Sequence, residues 1–467
     1  MSITLENIDK SIRDLENQYN GNLVVNNDLN RTLVSFQASK KQPFYRWYKF
    51  KEGYSSSLVK YILNDLKIKR GKLIDPFAGS GTSLFAASEI GIDAVGIEIM
   101  PIGQELIKTK KLIQRGNRKE ISGFLKKEIE KAEWKYEKES QELQYVTITK
   151  GAYPIETEQL IGKFLNYLKR IESKQNQKIL KLALLCVLED VSFTSKDGQF
   201  LRWDYRSGRG YGKNEFDKRL IIEFNCAIKK KLQEFLEDVQ GENKIEFENV
   251  IKTKTGNIKV LSGSCLTLLK KFEEKEFDVL VTSPPYCNRY DYTRTYALEL
   301  AMLDINETKL RELRQTMLSC TVENKDKLGL EKQFSDNIFN NAKSSFEKQK
   351  TLQLILEYLE EKKKNNELNN KGIYLMIKNY FFELSLIIFE SARIIKSGGY
   401  FVMVNDNVRY AGAHIPVDLI LSDIAIDAGF KVEKIWVLPV GKGNSSQQMG
   451  KHGREELRKC VYIWKKL

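Results

Sequence analysis

The sequence predicts an α/β protein built on a doubly wound, mostly parallel sheet, with helical segments inserted between its strands. Three observations predict it. Short apolar runs alternate with helical patterns over residues 72–112, 256–304 and 373–467. A strand, glycine turn, helix and strand follow one another over residues 72–98, the layout of a nucleoside site in such sheets. A buried-strand pattern, Phe277-Asp278-Val279-Leu280-Val281, runs directly into Thr282-Ser283-Pro284-Pro285-Tyr286.

Composition bounds the answer. At 467 residues the chain has room for two or three domains, and 42% hydrophobic residues support a sizeable core. The net charge is +14, which favours a polyanionic partner once a base-handling motif is present. No apolar run reaches the roughly 18 residues of a membrane span, and the segment Met1–Glu6 lacks a basic-then-apolar signal pattern. A cytoplasmic protein that does not engage membranes is expected. Six scattered cysteines form no Cys-x-x-Cys pair and read as reduced thiols. Two histidines, His414 and His452, are too few for a histidine-based metal site, so no metal is expected.

Residues 1–43 are polar and rich in Asn and Lys, and read as a peripheral N-terminal arm. An aromatic cluster follows (Phe44, Tyr45, Trp47, Tyr48, Phe50, Tyr54), then a helical stretch over Ser56–Leu66. Leu73-Ile74 end a β-type run that enters Asp75-Pro76-Phe77-Ala78-Gly79-Ser80-Gly81-Thr82, a helix over Ser83–Ile90 and a strand over Ala94–Glu98. Glycines in the turn let the backbone approach a ligand. Glu98 stands 17 residues after Gly81, near the roughly 20-residue offset of an acid that holds a ribose diol. The third glycine of the nicotinamide fingerprint is missing, because Leu84 takes its place, and the lysine of a P-loop is absent. Asp75 at the turn would repel a pyrophosphate, so a cationic ligand with a ribose fits better.

Residues 113–250 break the rhythm with charged helical patterns over Ile121–Lys138, Thr157–Ser173 and Glu215–Val239. Within them, residues 192–213 interleave cations, aromatics and glycines around Arg202, Trp203, Arg206 and Arg209. Such groups contact phosphates or stack on bases; a solvated basic loop is the plain alternative. The rhythm resumes with a strand at Lys259–Gly263, a short helix at Leu266–Phe272 and the strand that enters the proline turn. A charged stretch, about 306–370, reads as solvated helix or linker. The apolar periodicity of 374–397 reads as a helix stopped by Gly398-Gly399. A strand (Tyr400–Asn405), a helix (Pro416–Ala428) and two strands (Phe430–Val440, Lys459–Trp464) close the chain.

The two prolines after Ser283 fix two φ angles and remove two N–H donors. Their carbonyls stay free as acceptors, the Ser283 hydroxyl adds another, and Tyr286 offers a flat face. Acceptors beside a stacking surface suit a planar heterocycle held by its amino group.

Together, Asp-Pro-Phe-Ala-Gly-Ser-Gly-Thr and Thr-Ser-Pro-Pro-Tyr resemble the paired signatures of S-adenosylmethionine-dependent DNA amino-methyltransferases, which act on N4 of cytosine or N6 of adenine. The resemblance covers about residues 44–110, 256–304 and 373–467. Serine before the prolines, in place of Asp or Asn, resembles the cytosine-N4 enzymes more. Adenine-N6 DNA methylation and an RNA amino-methyltransferase are the alternatives. Cytosine C5 chemistry needs a Pro-Cys pair, and none of the eight prolines precedes a cysteine.

The resemblance implies a Rossmann-like, seven-stranded methyltransferase fold and S-adenosylmethionine as cofactor. It assigns the cofactor to Asp75, Pro76, Phe77, Ala78, Gly79, Gly81, Thr82, Glu98, Ser264 and Ser283; at Ser264 relatives often carry an acid. It assigns catalysis to Ser283, Pro284, Pro285 and Tyr286, acting on a flipped-out nucleotide. Asn288, Arg289 and Tyr290 are expected to line the base pocket or contact phosphate, with a polar helix start as the alternative. The organisation implied is a cofactor-binding first part (44–112), a target-recognition insertion (113–250), a second catalytic part (251–305), a charged helical insertion (306–372) and a C-terminal catalytic part (373–467). Many relatives place the glycine turn after the proline turn, and this chain departs from them. Double-stranded DNA is the implied partner, in a prokaryotic restriction-modification setting near the nucleoid, with a cognate restriction endonuclease for the same site.

Overall fold

The computed structural model describes residues 3–197, 200–209, 215–241, 255–439 and 449–467. Its strands are β1 (Leu23–Val25), β2 (Lys72–Asp75), β3 (Asp93–Glu98), β4 (Thr194–Asp197), β5 (Phe200–Trp203), β6 (Ile258–Ser262), β7 (Phe277–Thr282), β8 (Ile395–Asp406), β9 (Val408–Tyr410), β10 (Ala413–Ile415), β11 (Phe430–Val437) and β12 (Lys459–Lys466).

The central sheet runs β1-β11-β12-β8-β7-β2-β3-β6, with β4–β5 and β9–β10 as separate two-stranded hairpins. From β6 through β8 all neighbours are parallel, and β12 is antiparallel to both β8 and β11. Strands β2 and β7 are buried along almost their whole length, as parallel strands covered by helices on both faces must be. Their register pairs Leu73 with Val279 and Ile74 with Leu280. The last residues of β2, β3 and β7 therefore emerge together at one sheet edge.

Among the described residues the sheet has eight strands, one more than the seven expected. The extra strand is β1, which pairs in parallel with β11. It comes from the N-terminal segment, whose helix Leu5–Gln18 buries Ile8, Ile12 and Leu15. Ser11 Oγ lies 2.8 Å from Thr351 Oγ1 on the helix Lys350–Lys364. The segment read as a peripheral arm thus adds a sheet edge and covers part of the charged 306–370 stretch, which itself forms packed helices at Glu307–Thr316, Asp336–Lys348 and Lys350–Lys364.

Two further local differences have physical causes. The helix Ile373–Ile394 passes directly into β8, and Gly398-Gly399 lie inside that strand instead of stopping the helix. The register between β7 and β8 shifts there, and a Cβ on Gly399 would meet the Asp278 carbonyl at 2.7 Å. Glycine is required by this close approach. The basic stretch also contains the β4–β5 hairpin; its residues 198–199 and 210–213 lie outside the described ones, as does Val440.

Helices Arg118–Lys131, Ile155–Arg170, Lys174–Val187 and Phe224–Gln240 build a second core around Trp134, Phe164, Phe224 and Phe235. This core continues into Trp47 and Tyr296 of the sheet-bearing part. Lys196 of β4, 2% exposed, is ion-paired with Glu299 and donates to the Tyr48 hydroxyl at 3.0 Å. Removing one partner of such a buried pair costs roughly 3–5 kcal/mol, so the hairpin is pinned to the segment that follows β7.

Candidate functional site

Strand β2 delivers Asp75 to the sheet edge, where it is 2% exposed. Its carboxylate accepts four hydrogen bonds. Thr282 Oγ1 donates at 2.6 Å, the Phe77 N–H at 3.0 Å, the Tyr54 hydroxyl at 3.2 Å, and the Ser83 hydroxyl completes the set. These donors come from β7, the glycine turn, the aromatic segment and the following helix. Burial raises the Asp75 pKa, and the hydrogen bonds oppose it.

Gly79 and Gly81 adopt φ of 52° and 80°, the left-handed region that favours glycine. Behind the turn, a Cβ on Gly103 would lie 2.5 Å from the Gly79 carbonyl and 2.8 Å from Glu98 Cγ. That approach seats Glu98 at the end of β3. Its carboxylate accepts from the Gly79 N–H at 2.5 Å and the Met100 N–H at 2.6 Å. Burial pushes the Glu98 carboxyl up to about 8, the two amides lower it, and Asp75 raises it further.

Beyond Thr282, Ser283 Oγ donates to the Tyr286 hydroxyl at 3.3 Å. The far end of the proline turn is held by the Tyr410 hydroxyl of β9, which donates to the Cys287 carbonyl at 2.9 Å. Burial, helped by Asp406, raises the Tyr286 phenol.

These pieces enclose one cavity. Of the expected site residues, Asp75, Pro76, Phe77, Ala78, Gly79, Thr82, Glu98, Ser264, Ser283 and Pro285 line it. Gly81, Pro284 and Tyr286 adjoin the lining through the chain. Phe50, Glu52 and Tyr54 from the aromatic segment, Tyr292, Met317 and Leu318 also line it. Tyr292, Met317 and Leu318 carried no sequence signal for this role; Phe50 and Tyr54 had stood out only as part of an aromatic cluster. Among the described lining residues there are three carboxylates (Glu52, Asp75, Glu98) and no Lys, Arg or His. Such a wall offers a phosphate no counter-charge and suits a cation.

The other expected residues are not among those that line the cavity. Asn288 Oδ1 accepts from the Tyr290 N–H at 3.2 Å, Arg289 has a φ of 68°, and the buried Tyr290 ring packs edge-on against Tyr292 at 4.9 Å. The β4–β5 hairpin packs beside the helix Tyr292–Thr295 that follows the proline turn. On it, exposed Arg202 lies 4.2 Å over the Phe216 ring, and Arg209 lies 4.0 Å over buried Trp203. Arg206 is ion-paired with Asp204 at 2.6 Å. None of these four lines the cavity. Among the described residues, no group of three or more His, Cys, Asp or Glu is placed to hold a metal, and no helix is long and apolar enough to cross a membrane.

No protein-family model matches the chain. It is similar to the Type II methyltransferase M.AvaI of Nostoc sp., 46% identical over 469 residues that cover 99% of this chain and 94% of that protein. It is similar to the Type II methyltransferase M.BsoBI of Geobacillus stearothermophilus, 41% identical across 94% of this chain and 88% of that protein. The Type II methyltransferase M.MvaI of Kocuria varians is 23% identical across 85% of this chain and 84% of its own length.

Proposed function

The chain belongs to the type II DNA methyltransferases of restriction-modification systems, and from that membership we propose that it methylates the exocyclic N4 amine of cytosine with S-adenosylmethionine as donor. The observation that carries this reading is the Asp75–Thr282 hydrogen bond, which holds the glycine turn and the proline turn on one cavity.

The cavity suits the donor. Gly79 and Gly81 leave room for close approach, Glu98 would hold the ribose diol, Ser264 would contact the adenine end, and the acid-lined wall is compatible with a sulfonium. S-adenosylmethionine supplies a methyl group activated by its positive sulfur. The target cytosine is inaccessible within a duplex, so the nucleotide is flipped out at a cost of a few kcal/mol. Its amine donates to the Ser283 hydroxyl and the Pro284 carbonyl, which draws the nitrogen towards tetrahedral geometry. The same acceptors stabilise positive charge as it develops on that nitrogen, which sheds its surplus proton after the methyl transfer. Tyr286 stacks on the base, and Pro285 keeps the turn rigid. Alignment of this kind is worth about 7–11 kcal/mol of barrier.

Asn288, Arg289 and Tyr290 border the base pocket in this scheme. The hairpin end of the 113–250 recognition insertion would meet duplex DNA through exposed Arg202 and Arg206, with Arg209 held over buried Trp203 behind them. A restriction endonuclease acting on the same sequence is the expected counterpart. Serine at 283 favours cytosine over adenine as the target.

Ser283→Ala and Tyr286→Ala should each lower labelled-methyl transfer to duplex DNA by roughly 100-fold or more while calorimetric cofactor binding persists. Full transfer by either variant would overturn the assignment.

A further inference from the structure

We propose that Glu52 is the carboxylate by which the cavity prefers the charged sulfonium cofactor over its demethylated product. The inference rests on the S-adenosylmethionine reading above and deepens it.

Three acids line the cavity, and they differ in what already holds them. Asp75 accepts four hydrogen bonds from the chain itself. Glu98 has a backbone amide on each oxygen. Glu52 Oε2 accepts from the Tyr296 hydroxyl, whereas Oε1 is buried without a hydrogen-bond partner. The Tyr290 hydroxyl lies beside this carboxyl and acts on it as a weak donor, short of a full hydrogen bond. The buried ammonium of Lys196 also acts on Glu52, but it is committed to Glu299 and Tyr48. Burial raises the Glu52 pKa first of all, with the tyrosines and Lys196 opposing it. A carboxyl in this position gains by the arrival of a cation.

The donor and its product differ in one charge. Methyl transfer turns a positive sulfonium into a neutral thioether and leaves the adenosine and amino-acid ends unchanged. A carboxylate whose compensation comes from the sulfonium therefore holds the donor and releases the product. Asp75 and Glu98, being bonded by the chain, contribute geometry more than uncompensated charge.

The test is calorimetric titration of the full-length protein, without DNA, using S-adenosylmethionine and S-adenosylhomocysteine. The wild type should bind the methylated ligand more tightly. In Glu52→Gln the ratio of the two affinities should fall roughly tenfold, the effect of losing one opposite charge at close range, and chiefly through the methylated ligand. An unchanged ratio in Glu52→Gln would overturn the proposal, as would a fall carried by tighter binding of S-adenosylhomocysteine instead of weaker binding of S-adenosylmethionine. If the wild type binds neither ligand, the S-adenosylmethionine reading itself fails and the proposal falls with it.

Discussion

Thr282 donates a 2.6 Å hydrogen bond to Asp75, a residue 207 positions earlier in the chain. Asp75 ends the strand before the glycine turn, and Thr282 ends the strand before Ser283-Pro284-Pro285-Tyr286. The bond sets the two turns in fixed relation at the edge of adjacent parallel strands. Motif order along the chain is then immaterial to the site, because parallel pairing places both strand ends at the same rim.

Thr282→Val keeps the shape and removes the donor. A buried carboxylate oxygen loses one of its partners, so the variant should lose about 1–3 kcal/mol of stability. Methyl transfer should fall more than cofactor affinity, because the proline turn shifts relative to a glycine turn that keeps its own bonds. Denaturant titration together with single-turnover transfer checks both parts.

Gly103→Ala puts a methyl group 2.5 Å from the Gly79 carbonyl. Overpacking of this kind costs about 1–3 kcal/mol, and the displaced turn should weaken S-adenosylmethionine binding. Gly123→Ala is the contrast. Nothing lies within 4 Å of its added Cβ, and alanine in a helix should stabilise by up to about 1 kcal/mol. Thermal melts of the two variants should move in opposite directions.

Burial pushes the Glu98 carboxyl of the folded chain up to about 8, against an ordinary value of 4.5. Across that window the folded state binds more protons than the unfolded one, so stability falls as pH rises. The contribution is fully present below the ordinary value and lost by the time pH passes the folded one. Glu98→Gln removes it, so its melting temperature should decline less steeply across that range than the wild type's. Asp75, Glu52 and Glu383 are raised by burial as well, so some decline should persist. Parallel curves for variant and wild type would contradict the account.

Much of the parallel sheet was legible because buried parallel strands leave continuous apolar runs, as in Leu73-Ile74 and Val279-Leu280-Val281. The two turns were legible because glycine and proline act through backbone geometry, which short sequence patterns carry. Other features depend on partners far away. Glu52 meets Tyr296 across 244 residues, and no local pattern marks it as a cavity residue. Strand β1 is three residues, Leu23-Val24-Val25, in an Asn-rich segment, and it becomes a strand only by pairing with β11. Gly398-Gly399 carries the chemistry of a helix stop, yet the apolar run through Ile394-Ile395 hides the true boundary, and the glycines serve a close strand contact instead. The cations of residues 192–213 read as free for phosphate, while Arg206 and Arg209 are engaged by Asp204 and Trp203.

The most direct test is to incubate unmethylated duplex DNA with the purified protein and S-adenosylmethionine, digest the DNA to nucleosides and identify the modified one by mass spectrometry. The account predicts N4-methylcytosine, absent when Ser283 is replaced by alanine. N6-methyladenine or 5-methylcytosine in its place would contradict it.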